Sequence, residues 1–207
     1  RQLRRVRQTR APRRSRRWLA AAGATGAAVA TLVAVLLPPA PPAPRPAAAA
    51  VRVDPAGITA SASSTSRPDG AVTYVAENTL DGDPSTAWNS AGGLHPGSGG
   101  IALTYTFGHP VDLRSIVVLN GYQKVRRRSG HSPVDLYPAN ARVRWVRIVT
   151  DAGRWTWELA DRRAPQSFTA ATGRTGSVRL DVMSTYPSTT YPDIALSEVS
   201  FTAALSG

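Results

Sequence analysis

The sequence contains no cysteine. This excludes a disulfide scaffold, a thiol nucleophile and every zinc or iron–sulfur site that depends on cysteine ligands. Histidine is also scarce, with three residues in 207, so an all-histidine metal centre is not expected. Lysine occurs once against 24 arginines, and the net charge is +12.

The positive charge is concentrated at one end of the sequence. Residues 1–17 hold nine arginines and no acidic residue. From residue 51 onward, 15 basic and 13 acidic side chains leave a charge of only +2. Nucleic-acid binding by that nearly neutral region is therefore not expected, and the N-terminal arginines suit anionic lipid headgroups better.

Residues 18–37 form an uncharged, Ala-rich run. A helix of that length would be about 30 Å long, the thickness of the bilayer hydrocarbon. With nine arginines before it, we predict a single transmembrane signal-anchor helix with residues 1–17 in the cytoplasm. A cleaved signal peptide ending near Ala47 and Ala49 and a twin-arginine signal are alternatives. All three place residues after about 50 outside the cytoplasm.

Residues 38–50 are rich in proline and alanine, which predicts a semi-rigid extended linker. Residues 51–207 then form the folded domain. In this region apolar residues alternate with polar ones, which is the period of half-buried strands. The alternation predicts strands at 101–107, 155–159 and 178–182, and further strands are expected at 58–64, 116–119, 141–150, 165–170 and 194–202.

Glycine and proline separate these runs, notably at 108–110 and 173–176. Short strands with frequent turn signals indicate an all-β domain, a β-sandwich or jelly roll. Two strands break their alternation. We predict a β-bulge at Trp145–Val146, and we expect Glu198 to point inward like Ile194 and Leu196, where a carboxylate needs a partner.

Several segments resemble one known family. They are Ser61–Ser64, Ala76–Trp88, Asn120–Tyr122, Tyr137–Arg142 and Asp193–Val199. In this order they are similar to the discoidin, or coagulation-factor type C, family of galactose-binding-like jelly rolls. They are most similar to the glycan-binding (translocation) domain of bacterial NAD glycohydrolases. The resemblance covers about residues 57–203 and implies carbohydrate binding without NAD chemistry.

The resemblance also implies a possible structural calcium ion. In related modules a turn of hard oxygen ligands and a glutamate near the C-terminus hold calcium, and the matching residues here are Asp81, Asp83, Thr86 and Glu198. The alternative is a turn stabilised by its own side chains. On either interpretation Asp81 and Glu198 lie close together. Trp88, in the same segment, is expected to pack in or beside the core.

The loop 120–134 is the best candidate for ligand binding, because it is the longest polar loop on a rigid scaffold. Tyrosine can stack on a sugar, and clustered arginines can bind carboxylate or phosphate. An acidic glycan, a teichoic-type polymer or a lipid headgroup would suit it; a solvated basic loop is the alternative. The candidate ligand-binding residues are Asn120, Tyr122, Lys124, Arg126, Arg127, Arg128 and His131. For Asn120, Gly121 and Asn140 the alternative is a role in turn geometry.

An enzyme is not expected. The sequence has no nucleophile elbow, HExxH motif, phosphate loop or dinucleotide fingerprint. We therefore expect a membrane-anchored, extracytoplasmic module that binds a glycan or cell-envelope polymer. The alternatives are the ectodomain of a sensor with a cytoplasmic part outside this sequence, or an adhesion scaffold without glycan binding.

Overall fold

The structure is a computed structural model that describes residues 49–94 and 100–204, with only the backbone of residues 170–172. The predicted basic segment 1–17, the predicted transmembrane helix 18–37 and all but the end of the predicted linker 38–50 lie outside the described residues. Within the described residues, no helix has the length and apolarity needed to cross a bilayer.

The described chain is built almost entirely of strands. They are β1 (Ala50–Arg52), β2 (Ile58–Ala62), β3 (Trp88–Asn89), β4 (Ile101–Asn120), β5 (Val125–Arg126), β6 (Val134–Asp135), β7 (Ala141–Thr150), β8 (Gly153–Glu158), β9 (Gln166–Tyr186) and β10 (Ile194–Ala204). The helices are one short α-helix, α1 (Leu136–Ala139), and two 3₁₀ turns, Pro55–Gly57 and Ala76–Thr79. The first strand includes the last residue of the predicted linker.

The strands form two facing layers, and β4 and β9 pass through both. In one layer the first part of β4 pairs with β2 and with the second part of β9, which continues to β7 and β8. In the other layer the second part of β4 pairs with β10 and with the first part of β9, and β1 pairs with β10. The predicted all-β jelly roll is thus confirmed.

The predicted division of β4 and β9 into separate short strands is wrong. The pairing of β4 with β9 is interrupted between Thr106 and Val111 and then resumes. Proline has no backbone N–H to contribute to a ladder, so Pro110 costs no hydrogen bond in this gap. Gly173 has a φ of 70°, in the left-handed region that glycine adopts readily. The turn residues mark where each strand changes layer and not where it ends.

The core lies between the two layers. Phe201 of β10 makes edge-to-face contacts with Tyr105 and Phe107 of β4, with ring centroids 5.1 and 5.3 Å apart. The Tyr105 hydroxyl is 3.0 Å from Thr79 Oγ1, which gives this buried phenol a hydrogen-bond partner. Trp88 is fully buried, as expected, and its Nε1 donates to the Ser64 carbonyl at 3.0 Å.

The two breaks in alternation have different outcomes. The register of β7 against β9 shifts at Trp145 and Val146, so the predicted bulge is confirmed. The inward orientation of Glu198 is wrong. Glu198 pairs with Leu119, whereas the next residue, Val199, pairs with Val118 and lies in the core. Because opposite residues in a ladder share a face, Glu198 lies on the outer face of its layer. The break in the alternation of β10 therefore lies before Glu198 and not after it.

Candidate functional site

Three connecting segments meet around one cavity. They follow β2, β4 and β9 in the chain. Within the first segment Ser66 N donates to the Asn89 carbonyl at 2.8 Å, and the third segment is joined to the second by Tyr191 N, which donates to the Ala139 carbonyl at 2.7 Å. The cavity has a volume of about 190 Å³. Its lining contains three tyrosines, Tyr74, Tyr122 and Tyr191, together with amide, guanidinium and carboxylate groups. We call it the Asn89 cavity.

Asn89 gives this cavity its distinctive chemistry. The side chain is 4% exposed, and its Nδ2 donates to Asn140 Oδ1 at 3.2 Å. Asn140 in turn donates from its own Nδ2 to the Leu136 carbonyl at 2.9 Å. The remaining Asn89 oxygen, Oδ1, is buried and has no partner among the described residues. A buried acceptor without a partner costs about 1–3 kcal/mol, so a residue of the cavity lining carries an unsatisfied acceptor.

Arg126 is fixed at the same cavity by an aromatic ring and a carboxylate. Its Nη2 donates to the Tyr191 hydroxyl at 2.5 Å, and its Cζ lies 5.5 Å from the centre of that ring. Asp69 accepts from Arg128 at 2.8 Å and lies 3.8 Å from Arg126. The guanidinium is therefore held in place before any ligand arrives.

The two other tyrosines present neutral hydroxyls to the cavity. Burial raises the pKa of Tyr122 to about 12. Burial, followed by the charge of Asp69, also raises the pKa of Tyr74. Both phenols therefore keep their protons at neutral pH, and each can donate and accept one hydrogen bond with a ligand.

A second cavity, of about 270 Å³, adjoins the first and shares Tyr74, Tyr122 and Arg126 with it. It adds Lys124, Arg127 and Arg128 to the lining. A third, of about 140 Å³, extends past Arg126 and Arg128 to His131. We call the second and third cavities together the basic groove.

Six of the seven predicted ligand residues therefore line these cavities: Tyr122, Lys124, Arg126, Arg127, Arg128 and His131. Asn120 does not. It is fully buried, its Nδ2 donates to the Val143 carbonyl at 2.7 Å, and Val143 N donates to its Oδ1 at 3.1 Å. Both ends of the amide are engaged with the backbone of β7, so Asn120 fixes the fold and is unavailable to a ligand, contrary to the prediction.

Sequence reasoning missed several lining residues, above all Tyr74, Asn89 and Tyr191. Tyr74 and Tyr191 lie in polar segments between strands, where an exposed aromatic residue is itself a sign of binding. No local signal distinguishes Asn89, because its role depends on a contact with Asn140, 51 residues away.

A second polar cluster lies beside α1 and is centred on Arg142, which is 6% exposed. Its Nη2 and Nε donate to Asp161 at 2.7 and 3.1 Å. Its Nη1 donates to the carbonyls of Asn140 and Pro187 at 2.9 and 2.7 Å. The hydroxyl of Tyr137 donates to Asp161 at 2.9 Å. The hydrogen bonds from Arg142 hold the pKa of Asp161 below its usual value. We call this the Arg142 cluster.

The predicted proximity of Asp81 and Glu198 is confirmed. Burial and then the neighbouring Asp81 carboxylate raise the pKa of Glu198 to about 7. Glu198 Oε1 is buried without a partner in the described part of the chain. Thr86 Oγ1 donates to Asp81 Oδ2 at 2.7 Å. Two adjacent carboxylates with an unsatisfied oxygen and a nearby hydroxyl are a donor set that fits Ca²⁺.

Asp83 does not fit this calcium set. It is fully exposed, and its Oδ1 accepts from Ser85 N at 2.8 Å, which shapes the turn. Within residues 49–94 and 100–204, no three acidic or histidine side chains converge on one point. A calcium ion would therefore need backbone carbonyl oxygens to complete its ligand shell.

Comparison with known proteins agrees with this architecture. The family model for the NAD glycohydrolase translocation F5/8 type C domain matches residues 55–202. Among curated proteins, no sequence matches the chain significantly. The resemblance to discoidin-type domains is thereby confirmed.

Solved structures show the same fold at low sequence identity. CBM32-3 from a family 31 glycoside hydrolase of Clostridium perfringens is 19% identical, with a TM-score of 0.56. The match covers 73% of this chain and 94% of that chain. CpGH89CBM32-5 of Clostridium perfringens, in complex with GalNAc-β-1,3-galactose, is 14% identical, with a TM-score of 0.54 and coverage of 73% and 99%. An F5/8 type C domain from Bacteroides fragilis is 16% identical, with a TM-score of 0.52 and coverage of 75% and 97%.

Proposed function

Because the chain belongs to the family of NAD glycohydrolase translocation F5/8 type C domains, we propose that its folded domain binds a glycan without transforming it. The observation that carries the proposal is the Asn89 cavity. Its buried acceptor, its two neutral phenols and its fixed guanidinium are all available to one small polar ligand.

The chemistry of the cavity matches that of a sugar. A sugar ring has apolar C–H faces and a rim of hydroxyls, so it suits tyrosine rings combined with a few placed polar groups. A sugar hydroxyl can donate to Asn89 Oδ1 while accepting from Arg126 or a phenol. A similar fold in CpGH89CBM32-5 was solved with GalNAc-β-1,3-galactose, which supports a carbohydrate as the ligand class.

The carboxylates of the cavity support binding and not hydrolysis. Asp69 accepts from Arg128 at 2.8 Å, and Asp193 accepts from Ser66 Oγ at 3.5 Å. Glycoside hydrolysis requires one carboxyl group to donate a proton and a second to act as base or nucleophile across the scissile bond. Both cavity carboxylates are instead engaged with donors of the chain.

A glycan array probed with the full 207-residue chain tests the proposal. We expect binding that Tyr191→Ala reduces about tenfold or more, because it removes an aromatic wall and the partner of Arg126. Tyr186→Ala is the matched control, since Tyr186 contacts Arg144 and the Leu159 carbonyl and does not line the cavity. Absence of binding to every glycan, or equal loss in both variants, would refute the assignment.

We propose in addition that Asp81, Thr86 and Glu198 hold a structural Ca²⁺. The bound ion would supply charge compensation for the two carboxylates and anchor the turn after Thr79 to β10. Adding calcium should raise the melting temperature of the wild-type protein, because a ligand specific to the folded state stabilises it. Glu198→Gln should abolish this rise, whereas Asp83→Asn should preserve it. A melting temperature that is insensitive to both calcium and chelator would contradict the proposal.

We also propose that the domain is membrane-anchored and extracytoplasmic. The support is in the sequence, where an arginine-rich segment without acids precedes twenty uncharged residues. The protein should stay in the membrane fraction after alkaline carbonate washing, and protease added to intact cells with a permeable wall should remove the folded domain. Release by carbonate, or protection from the protease, would contradict it.

A further inference from the structure

The Asn89 cavity and the basic groove differ in charge although they share a wall. Two carboxylates, Asp69 and Asp193, line the Asn89 cavity with two guanidinium groups, Arg67 and Arg126, so its charges balance, and Asn89 adds a buried acceptor. An anionic group placed there would gain no excess of positive charge and would meet that acceptor. The cavity therefore favours a neutral group that donates hydrogen bonds.

The basic groove contains positive charge that the described residues do not neutralise. Arg126 and Arg128 share Asp69, at 3.8 and 2.8 Å. Lys124 and Arg127 line the groove, and neither forms an ion pair within 4.0 Å in the described part of the chain. The pKa of Asp83 is lowered mainly by hydrogen bonds from Ser85, and the charge of Lys124 adds a smaller, longer-range effect.

The two spaces are contiguous, so one ligand can occupy both. Tyr74, Tyr122 and Arg126 line each of them. At about 190 Å³ the Asn89 cavity is smaller than the roughly 300–1,000 Å³ of pockets for drug-sized molecules, so it suits one sugar ring. A second unit of the same glycan then lies over Tyr74 and Tyr122 and reaches Lys124 and Arg127.

Resting on the proposed glycan binding, we infer that Lys124 and Arg127 form an anionic subsite next to a neutral sugar subsite at Asn89. The ligand is an acidic glycan in which a neutral sugar is joined to a unit that carries a carboxylate or a phosphate. Both anions present the paired oxygens that a guanidinium recognises.

Matched disaccharides test this inference on the full chain. Galactose, glucose, mannose and N-acetylglucosamine are each offered in three forms: neutral, with a uronate as the second unit, and with a phosphate on the second unit. We expect the acidic forms of at least one sugar to bind more tightly than the neutral form. The preference should shrink in ~0.5 M NaCl, because salt screens exposed charges.

The double variant Lys124→Gln with Arg127→Gln should weaken binding of the acidic forms ~10-fold and change the neutral form less than twofold. The double variant Arg147→Gln with Arg154→Gln is the control. It removes the same charge from exposed positions on β7 and β8, outside both cavities, and should leave the preference intact.

The outcomes separate this inference from the proposed function. Equal affinity for neutral and acidic forms, or equal loss in the two double variants, overturns the anionic subsite and leaves glycan binding standing. Absence of binding to every disaccharide overturns both, as does binding to phosphatidylglycerol vesicles alone, which would assign the basic groove to a lipid surface. A response confined to the uronate or to the phosphate supports the inference and identifies the anion.

Discussion

The Arg142 cluster and the Asn89 cavity lie on two sides of Asn140, and they use polar side chains in opposite ways. Four donor contacts of Arg142 are taken up by Asp161 and by two backbone carbonyls, all within 3.1 Å. At the Asn89 cavity the acceptor of Asn89 has no partner in the described chain, although the residue is equally buried.

The difference shows how two neighbouring polar sites can serve different purposes, one the stability of the fold and the other the binding of a ligand. A buried guanidinium whose hydrogen bonds are all accepted holds chain segments in place, and removing it leaves its acceptors without a donor. A buried acceptor left unpaired lowers stability by about 1–3 kcal/mol, and a ligand that donates to it would remove that cost. Of the three arginines that line the basic groove, Arg126 and Arg128 are paired with Asp69, and Arg127 has no ion pair among the described residues.

The largest effect should follow from Arg142→Met. It leaves Asp161 and the carbonyls of Asn140 and Pro187 without their donor, and we expect a loss of about 4 kcal/mol in the free energy of unfolding, because four hydrogen bonds of a buried guanidinium are lost. Thermal or urea denaturation measures it. Arg179→Met, which removes an exposed pair with Asp181, should cost less than about 1 kcal/mol. Equal costs would remove the distinction between the Arg142 cluster and an exposed ion pair.

Gly121→Ala should be nearly as damaging, because Gly121 packs against Tyr137 and Arg142 of the Arg142 cluster. Its φ is 74°, and a Cβ would lie 2.7 Å from Tyr137 and 2.8 Å from Arg142. We expect a loss of about 3 kcal/mol. Gly70→Ala is the control for backbone strain alone, since φ is 62° and nothing lies within 4 Å; it should cost about 1 kcal/mol. A Gly121→Ala cost no larger than the control would show that the cluster yields easily.

Asn89→Leu should separate binding from stability. It removes an unsatisfied acceptor and one hydrogen bond, so the free energy of unfolding should change by about 1 kcal/mol or less, while glycan binding falls about tenfold. Asn120→Leu is the matched control. It breaks two hydrogen bonds to Val143 and should destabilise the protein by about 2 kcal/mol. If Asn89→Leu unfolds the protein and retains binding in the folded fraction, the cavity assignment is wrong.

The smallest expected effect is the pH dependence of stability that Asp161 causes at acidic pH. Because Arg142 lowers the pKa of Asp161 in the folded state, this carboxylate stabilises the protein above its unfolded pKa, near 3.8, and loses that contribution as pH falls through the folded value. Asp161→Asn should therefore lower stability at pH 7, and its difference from the wild type should shrink below about pH 4. Denaturation across this range measures it, and a constant difference would contradict the ion pair.

Much of the fold could be predicted because alternation reports local burial. It identified the strands around Tyr105, Trp157 and Phe201, and it located the bulge at Trp145. It misplaced the ends of β4, since Gly108 and Pro110 are turn residues in most contexts and here occupy a change of layer. It also placed Glu198 on the wrong face of the sheet. Ala195, Leu196 and Ser197 are all buried, so alternation does not show at which residue of this run the inward and outward faces exchange.

Less of the site could be predicted. The loop after β4 was identified because its polar residues are consecutive in the chain. The opposite wall, with Tyr74 and Tyr191, comes from segments that only the completed sandwich brings beside it. Asn120 and Asn89 show the limit most directly: both are buried asparagines, and only their partners reveal which one binds the backbone and which one is available to a ligand.

Asn140 joins the Asn89 cavity and the Arg142 cluster through different atoms. Its side-chain oxygen accepts from Asn89, and its backbone oxygen accepts from Arg142. Anything that pairs with Asn89 therefore binds one hydrogen bond away from a residue that also contacts Arg142. Occupancy by a specific compound at a hundred times its dissociation constant adds about 2.7 kcal/mol to the folded state. A library of unlabelled sugars can accordingly be ranked by how far each one raises the melting temperature of the protein, without knowledge of its biological role.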